Sequence, residues 1–126
     1  MNPLLIKSFA AAAIVAGFRF VKFTANRLEV TLATGSDTHI AGCSDSLGAD
    51  AGAQLDVMQV GLGEVQLAGT VAAGDPLTAD ANGKAIKATA HTSNVVHYGG
   101  FAQLPGVSGD VIPYIIAPGQ LAPTGS

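Results

Sequence analysis

Residues 61–88 read GLGEVQLAGTVAAGDPLTADANGKAIKA, and this stretch decides the fold class. Glycine interrupts short apolar runs every few residues, and one Asp-Pro and one Asn-Gly pair follow. Turn-forming residues at this spacing are typical of short strands joined by tight turns. Asn82 and Gly83 both tolerate left-handed geometry, which favours a tight reversal. We therefore predict a small hairpin that joins residues 76–79 to residues 84–88.

The rest of the chain continues in the same way, with short alternating runs and no persuasive amphipathic helix. These features predict an all-β fold: a small β-barrel or sandwich-like domain with short strands, glycine-rich turns and an extended N-terminal arm. Pro113 is expected to confine the last strand to a sheet edge or a bulge. Further strands are predicted at residues 18–24, 28–33, 38–42, 55–60, 64–68, 95–104 and 111–116.

The length of 126 residues favours one domain with a core of its own. We divide it into an N-terminal arm (residues 1–17), a β domain (residues 18–117) and a C-terminal tail (residues 118–126). The arm is expected to lead, extended, into the first strand, and the proline-containing tail to be a loose cap.

Charged residues are scarce, at 12% of the chain against 48% hydrophobic residues. Ordinary soluble domains carry about 25% charged residues. A surface with so few charges is poorly solvated, so we expect other subunits or a larger assembly to cover much of it. The alternative is a surface made of uncharged polar residues.

The charges are also unevenly placed along the chain. The first 27 residues carry +4 and no acid, and the remainder carries −7. This asymmetry predicts docking against an acidic partner or the acidic part of a sister chain. The overall acidity and the lack of interleaved aromatic residues argue against a nucleic-acid partner.

The start of the chain admits a second interpretation. Residues 8–18 read SFAAAAIVAGF after Lys7, which resembles the apolar part of a secretory signal. On this alternative, the chain is a secreted or periplasmic β-domain that binds a partner after loss of a leader. The run is too short for a membrane helix, which needs ~20 apolar residues, so we predict no membrane partner.

No pattern of residues indicates catalysis, a cofactor or a metal. His39, His91 and His97 lie outside any metal-ligand spacing, and no serine sits in a nucleophile motif. The single cysteine, Cys43, is expected to be buried and inert. We therefore predict a protein that is not an enzyme. The alternative enzyme would build its site in space from His39, His97 and Asp residues.

Several segments together resemble the capsid cement (head decoration) proteins of tailed bacteriophages. The Gly-Asp-Pro-Leu-Thr run with its Asn-Gly turn is the most specific of them. The chain departs from the family at the alanines of residues 10–13 and at Cys43, where an aliphatic residue is expected. The segments that carry the resemblance are NPLLIKS (2–8), KF (22–23), IAGCSDSLG (40–48), GTV (69–71), GDPLTADANGKA (74–85) and IIAPG (115–119).

The resemblance implies a structural virion protein on the outer surface of a phage head, made in the cytoplasm of the bacterial host. Such a protein bridges neighbouring subunits of the major capsid protein, stabilises the mature capsid, and is a homotrimer. A tail or fibre component of the same kind of particle is a further alternative. The residues we select as candidate capsid or subunit contacts are Leu4, Leu5, Ile6, Lys7, Phe9, Arg19, Lys22 and Arg27.

Overall fold

The computed structural model describes residues 3–26, 28–37 and 39–124, without the side chains of residues 3–7. All regular elements within these ranges are strands, which confirms the predicted all-β fold. No helix that could span a membrane occurs in this described part of the chain. The strands are β1 (Pro3–Ala11), β2 (Phe20–Phe23), β3 (Glu29–Leu32), β4 (Gly42–Ser44), β5 (Gln54–Gln66), β6 (Pro76–Ala79), β7 (Ala85–Lys87), β8 (Val96–Ala102) and β9 (Val111–Leu121).

Five strands close into a ring, in the order β1-β3-β2-β4-β5, and β5 pairs back with β1. We call these strands the ring. The β1–β5 pairing is antiparallel and runs from Pro3↔Gly61 to Ala10↔Gln54, with register shifts near its start. β1 pairs with β3 in the parallel direction, and the other ring pairs are antiparallel. Closure leaves no open sheet edge on the ring.

The second half of β5 leaves the ring and enters a second sheet, in the order β5-β9-β8-β6-β7. Gly61, with φ of 95°, lies where β5 changes from one sheet to the other. Just after β5, Leu67 bridges to Ala85 of β7, and the Ala68 amide donates to the Ala85 carbonyl at 2.8 Å. The outer edge of the second sheet is therefore partly covered by the chain itself.

Two apolar clusters fill the molecule. The ring cluster is made by ring strands and adjoining loops, whereas the inter-sheet cluster lies between the ring and the second sheet. The inter-sheet cluster is Phe20, Ala33, Ile40, Cys43, Met58, Val65, Leu67, Val71, Leu77, Ala79, Ala85, Ala102, Ile112 and Tyr114. Phe20 and Val21 are both fully buried because adjacent residues of a strand face opposite sides, so that each joins a different cluster. The ring cluster is Phe9, Ala11, Val15, Val21, Val30, Ala41, Leu55 and Val57.

Two strand predictions differ from the structure. The strands expected at residues 55–60 and 64–68 are one strand, β5, because Gly61 and Gly63 do not form a turn. A Cβ on Gly63 would lie 2.7 Å from Cys43 Sγ and 2.8 Å from Tyr114 Cε1, so this glycine permits close packing. The strand expected at residues 38–42 lies later, as β4.

The prediction of an edge or a bulge at Pro113 is also wrong. β9 lies between β5 and β8, and its register with β5 runs without a shift through Pro113. Pro113 is opposite Glu64 of β5, and its carbonyl accepts from the Gln103 amide at 3.1 Å, just beyond the last residue of β8. The N–H that proline lacks would point toward this side. One ladder bond is therefore lost where the neighbouring strand has already ended.

Parts of both predicted terminal segments belong to the sheets. The predicted arm contains residues 3–11, which form β1, and the ring needs this strand for closure. The boundary placed after residue 117 falls inside β9, where Gly119 and Gln120 pair with β8. For β1 the reason is non-local pairing, since its partner β5 lies far along the chain. β9 simply continues its pairing with the preceding strand β8 beyond residue 117.

Candidate functional site

An open recess of about 640 Å³ lies where two loops meet the β6–β7 turn. The loops are residues 12–19, between β1 and β2, and residues 45–50, between β4 and β5. We call this recess the loop groove. Its lining residues are Ile14, Val15, Ala16, Arg19, Leu32, Leu47, Gly48, Ala49, Asp50, Asn82 and Lys84.

The two loops of the groove are joined by backbone hydrogen bonds. Val15 and Ala49 exchange both N–H···O bonds at 2.8 Å, and the Phe18 amide donates to the Asp45 carbonyl at 3.1 Å. Gly48 has φ of 65°, and a Cβ there would collide with the Val15 carbonyl oxygen. The close approach of the loops therefore requires glycine at this position.

Polar side chains, one buried and one half-buried, also hold the same loops. Ser44 is fully buried, and its hydroxyl donates to the Ala16 carbonyl at 2.8 Å and accepts from the Arg19 amide at 3.0 Å. Asp45 Oδ1 accepts from the Leu47 amide at 3.1 Å and the Gly48 amide at 3.0 Å. The groove wall is thus held in one conformation before any partner arrives.

This rigid wall presents two aliphatic side chains to solvent. Ile14 is 69% exposed and Leu47 is 87% exposed. Leu32, which packs against the ring cluster, contributes an apolar surface beside them. Large exposed apolar groups that share a concave surface are characteristic of interaction sites.

Two partly buried cations line the groove as well. Arg19 Nη1 donates to the Gly17 carbonyl at 3.0 Å and to Gln66 Oε1 at 2.6 Å, which fixes the guanidinium. Within the described residues, neither Arg19 nor Lys84 has a carboxylate within salt-bridge distance, although Asp50 lines the same groove. The groove therefore combines an apolar wall with a net positive charge, since two cations share it with one carboxylate.

A second candidate surface lies on the face of the second sheet that points away from the inter-sheet cluster. Four apolar residues that lie directly opposite one another in neighbouring strands form a row across β5, β9, β8 and β6. Ile115 is the most exposed of them, and the other three are half-buried. We call Leu62, Ile115, Phe101 and Pro76 the outer row.

The predicted contact residues whose side chains the structure describes, Phe9, Arg19 and Lys22, do not form one site. Phe9 is 4% exposed and packs edge-on against Phe23 at 5.5 Å between ring centroids, so it belongs to the ring cluster rather than to the outer surface. Lys22 lies in β2 opposite Thr31. Leu4, Leu5, Ile6 and Lys7 lie along β1, and their side chains, like all of Arg27, fall outside the described residues.

Among the predicted contacts whose side chains the structure describes, only Arg19 lines the loop groove. Ile14, Leu47 and Lys84 also line it, and the sequence does not single them out. Leu47 carried a usable signal, since it is an isolated large apolar residue in the serine- and glycine-rich segment 44–52. No local signal showed that Ile14 would lie beside it, because the bridge between Val15 and Ala49 is non-local.

The histidines lie away from this groove. His39 and His97 meet edge-on with ring centroids 6.5 Å apart, and His97 and His91 line a separate recess of about 330 Å³. The Ser93 and Asn94 amides donate to His91 Nδ1 at 3.1 and 3.2 Å. In the described ranges, no group of three or more His, Cys, Asp or Glu side chains is placed to hold a metal ion.

Cys43 lies fully buried in the inter-sheet cluster beside Tyr114. Burial raises the pKa of the Cys43 thiol from 9.0 to about 11, and burial likewise raises the pKa of Tyr114 well above its ordinary value. The thiol is therefore protonated and shielded near neutral pH, so it is a poor nucleophile.

Comparison with known proteins gives a structural match. The crystal structure of the head fiber gp8.5 N base in bacteriophage phi29 superposes with a TM-score of 0.69 at 19% sequence identity. The match covers 90% of this chain and 93% of that one. No protein-family model matches the chain, and no curated protein sequence does. At this identity, the comparison shows that the two chains share a fold.

Proposed function

We propose that this chain is a structural protein of a phage virion, which decorates the outer surface of the head and bridges neighbouring capsid subunits. The observation that carries the proposal is the fold shared with a head fiber base over nine-tenths of both chains. The sequence resemblance to capsid cement proteins supports the same place in the particle.

The outer row supports self-association of the chain, and the resemblance to capsid cement proteins implies that the oligomer is a homotrimer. Its four apolar residues cross four strands without a charge among them. Burying the outer row between copies removes apolar surface from water, which favours association. Light scattering of the purified chain tests this: a trimer mass is expected, and a monomer at every concentration would contradict it.

The action of the protein is mechanical, with no covalent step. A ligand that binds only the mature lattice stabilises that lattice by mass action. A specific interface of ordinary size buries ~1,600 Å² in total. When several copies are linked in one oligomer, weak individual contacts add up to durable attachment through avidity.

The experiment uses heads of the phage that encodes the chain, prepared with and without its gene. Heads without the protein should release DNA at a lower temperature, and adding purified protein should restore the higher one. Co-sedimentation shows whether the added protein binds heads. Binding only to tails, or unchanged head stability with no binding, would contradict the proposal.

A further inference from the structure

We propose that the loop groove is a binding site for an extended peptide segment of a partner chain, in which aliphatic side chains flank a carboxylate. The identity of the partner rests on the proposed function: the segment belongs to the capsid protein. The loop groove is then the surface that makes the contact, and a carboxylate between aliphatic side chains is what it recognises.

Hydrogen bonds already order the loops of the groove in the absence of a ligand. The Val15–Ala49 bridge joins the two backbones, and the buried Ser44 hydroxyl and the Asp45 carboxylate bond to backbone groups of the same loops. A wall that is already ordered loses little conformational entropy when a ligand binds.

Two aliphatic side chains are exposed at the groove. Leu47 is 87% exposed and Ile14 is 69% exposed, on loops that backbone hydrogen bonds join. A partner that supplies aliphatic side chains removes this apolar surface from water, which favours binding.

The charge of the groove favours an acidic ligand. Arg19 and Lys84 are partly buried in the groove, and neither forms a salt bridge within the part of the chain that the structure describes. Asp50 offsets one of the two charges over the groove as a whole. A single carboxylate on the ligand completes the balance, and a fixed guanidinium suits carboxylate recognition. Nucleic acid fits less well, because the lining offers no aromatic side chain for base stacking.

The direct test needs no phage particle. The peptide acetyl-Leu-Asp-Leu-amide is titrated into the isotope-labelled protein, and backbone amide shifts are followed by NMR. A peptide of this size is expected to bind with a Kd of about 1 mM. The shifts should be confined to the amides of Ile14, Leu47, Gly48 and Lys84.

Matched variants and a matched peptide sharpen this test. Acetyl-Leu-Asn-Leu-amide and the variant Lys84→Gln should each weaken binding by about 3-fold to 10-fold, and Leu47→Ser by at least as much. Leu104→Ser is the control, because Leu104 is also exposed, at 52%, but lies outside the groove. Equal binding of both peptides, shifts elsewhere on the surface, or no shifts at ~10 mM peptide would overturn the inference.

Head binding then separates this inference from the proposed function. If the wild-type chain and Leu104→Ser bind heads and Leu47→Ser does not, the capsid segment occupies the groove. If Leu47→Ser binds heads like the wild type, the groove inference fails while the proposed function stands. If neither the wild-type chain nor any variant binds heads, although the peptide binds the protein, then the proposed function fails and the capsid segment is not the occupant. If Leu47→Ser instead lowers the molar mass of the oligomer, a second copy is the occupant and the inference is overturned.

Discussion

Gly48 is the residue that lets the two loops of the groove meet. It combines φ of 65° with a position directly against the Val15 carbonyl. Gly52 has a similar φ of 82°, but nothing lies within 4 Å of a Cβ built there. A substitution at Gly52 therefore meets only backbone strain, whereas the same substitution at Gly48 meets backbone strain and a steric clash.

We expect Gly52→Ala to lower the free energy of unfolding by about 1 kcal/mol, since only the positive φ opposes it. Gly48→Ala should cost clearly more, because the loops must also move apart to admit the methyl group. Urea denaturation of both variants measures the difference. Equal losses would mean that the loops separate without cost, and the groove would then not be rigid.

The buried thiol of Cys43 makes the stability of the fold depend on pH. Its pKa is about 11 in the folded chain, against 9.0 ordinarily, because burial disfavours the thiolate. The unfolded chain therefore loses this proton first as the pH rises. The contribution of this group to the free energy of unfolding is fully present below pH 9 and is lost between pH 9 and 11. The expected change is ~2–3 kcal/mol.

The measurement is the urea midpoint at pH 7, 9 and 10.5, which should fall only above pH 9. Tyr114 contributes in the same direction, because its pKa is also raised by burial. The variant Cys43→Val keeps an apolar group at the site and should show a smaller alkaline loss. An alkaline loss equal to that of the wild type would show that the thiol is not its source.

Among the elements, the β6–β7 hairpin agrees best with the sequence. Asp80 Oδ1 accepts from the Asn82 amide at 2.8 Å and the Lys84 amide at 2.9 Å, and Gly83 has φ of 77°. These are the residue types that the turn requires. The hairpin also places Asn82 and Lys84 at the loop groove, so local turn chemistry positions part of the site.

We expect Asp80→Ala to lower the free energy of unfolding by ~1–3 kcal/mol, because two backbone amides lose their acceptor. Asp80→Asn keeps an acceptor oxygen and should cost less. Urea denaturation gives both values, and the NMR shifts of Asn82 and Lys84 report the turn itself. If Asp80→Ala leaves these shifts unchanged, the side chain does not hold the turn.

At the scale of the whole molecule, β5 joins two hydrophobic clusters into one structure. Leu55 and Val57 lie in the ring cluster, and Val65 lies in the inter-sheet cluster on the same strand. Loss of the ring cluster releases the first half of β5 and thereby the support of the second sheet. The two parts should therefore unfold together.

Leu55→Ala tests this coupling. The side chain is fully buried, so its truncation should cost ~2–5 kcal/mol. Amide hydrogen exchange should show that protection falls by the same amount in β2 of the ring and in β9 of the second sheet. Loss of protection in β2 alone would show that the two sheets unfold independently.

The sequence by itself determined the all-β class, the hairpin at residues 76–88 and the approximate positions of most strands. These depend on contacts between near neighbours, through alternation, glycine and Asn-Gly turn chemistry. Leu28 shows the limit of alternation: it lies two residues before the buried Val30 in the predicted strand, but it has φ of 58° and is exposed.

Only the tertiary structure decided that residues 3–11 close the ring, that β5 is continuous, and that Ile14, Leu47, Arg19 and Lys84 share one groove. Each of these depends on pairing between segments far apart in the chain, such as β1 with β5 or Val15 with Ala49. Alternation fixes which face of a strand is apolar but not which strand lies next to it. Neighbours across a sheet are selected by the packing of the whole molecule.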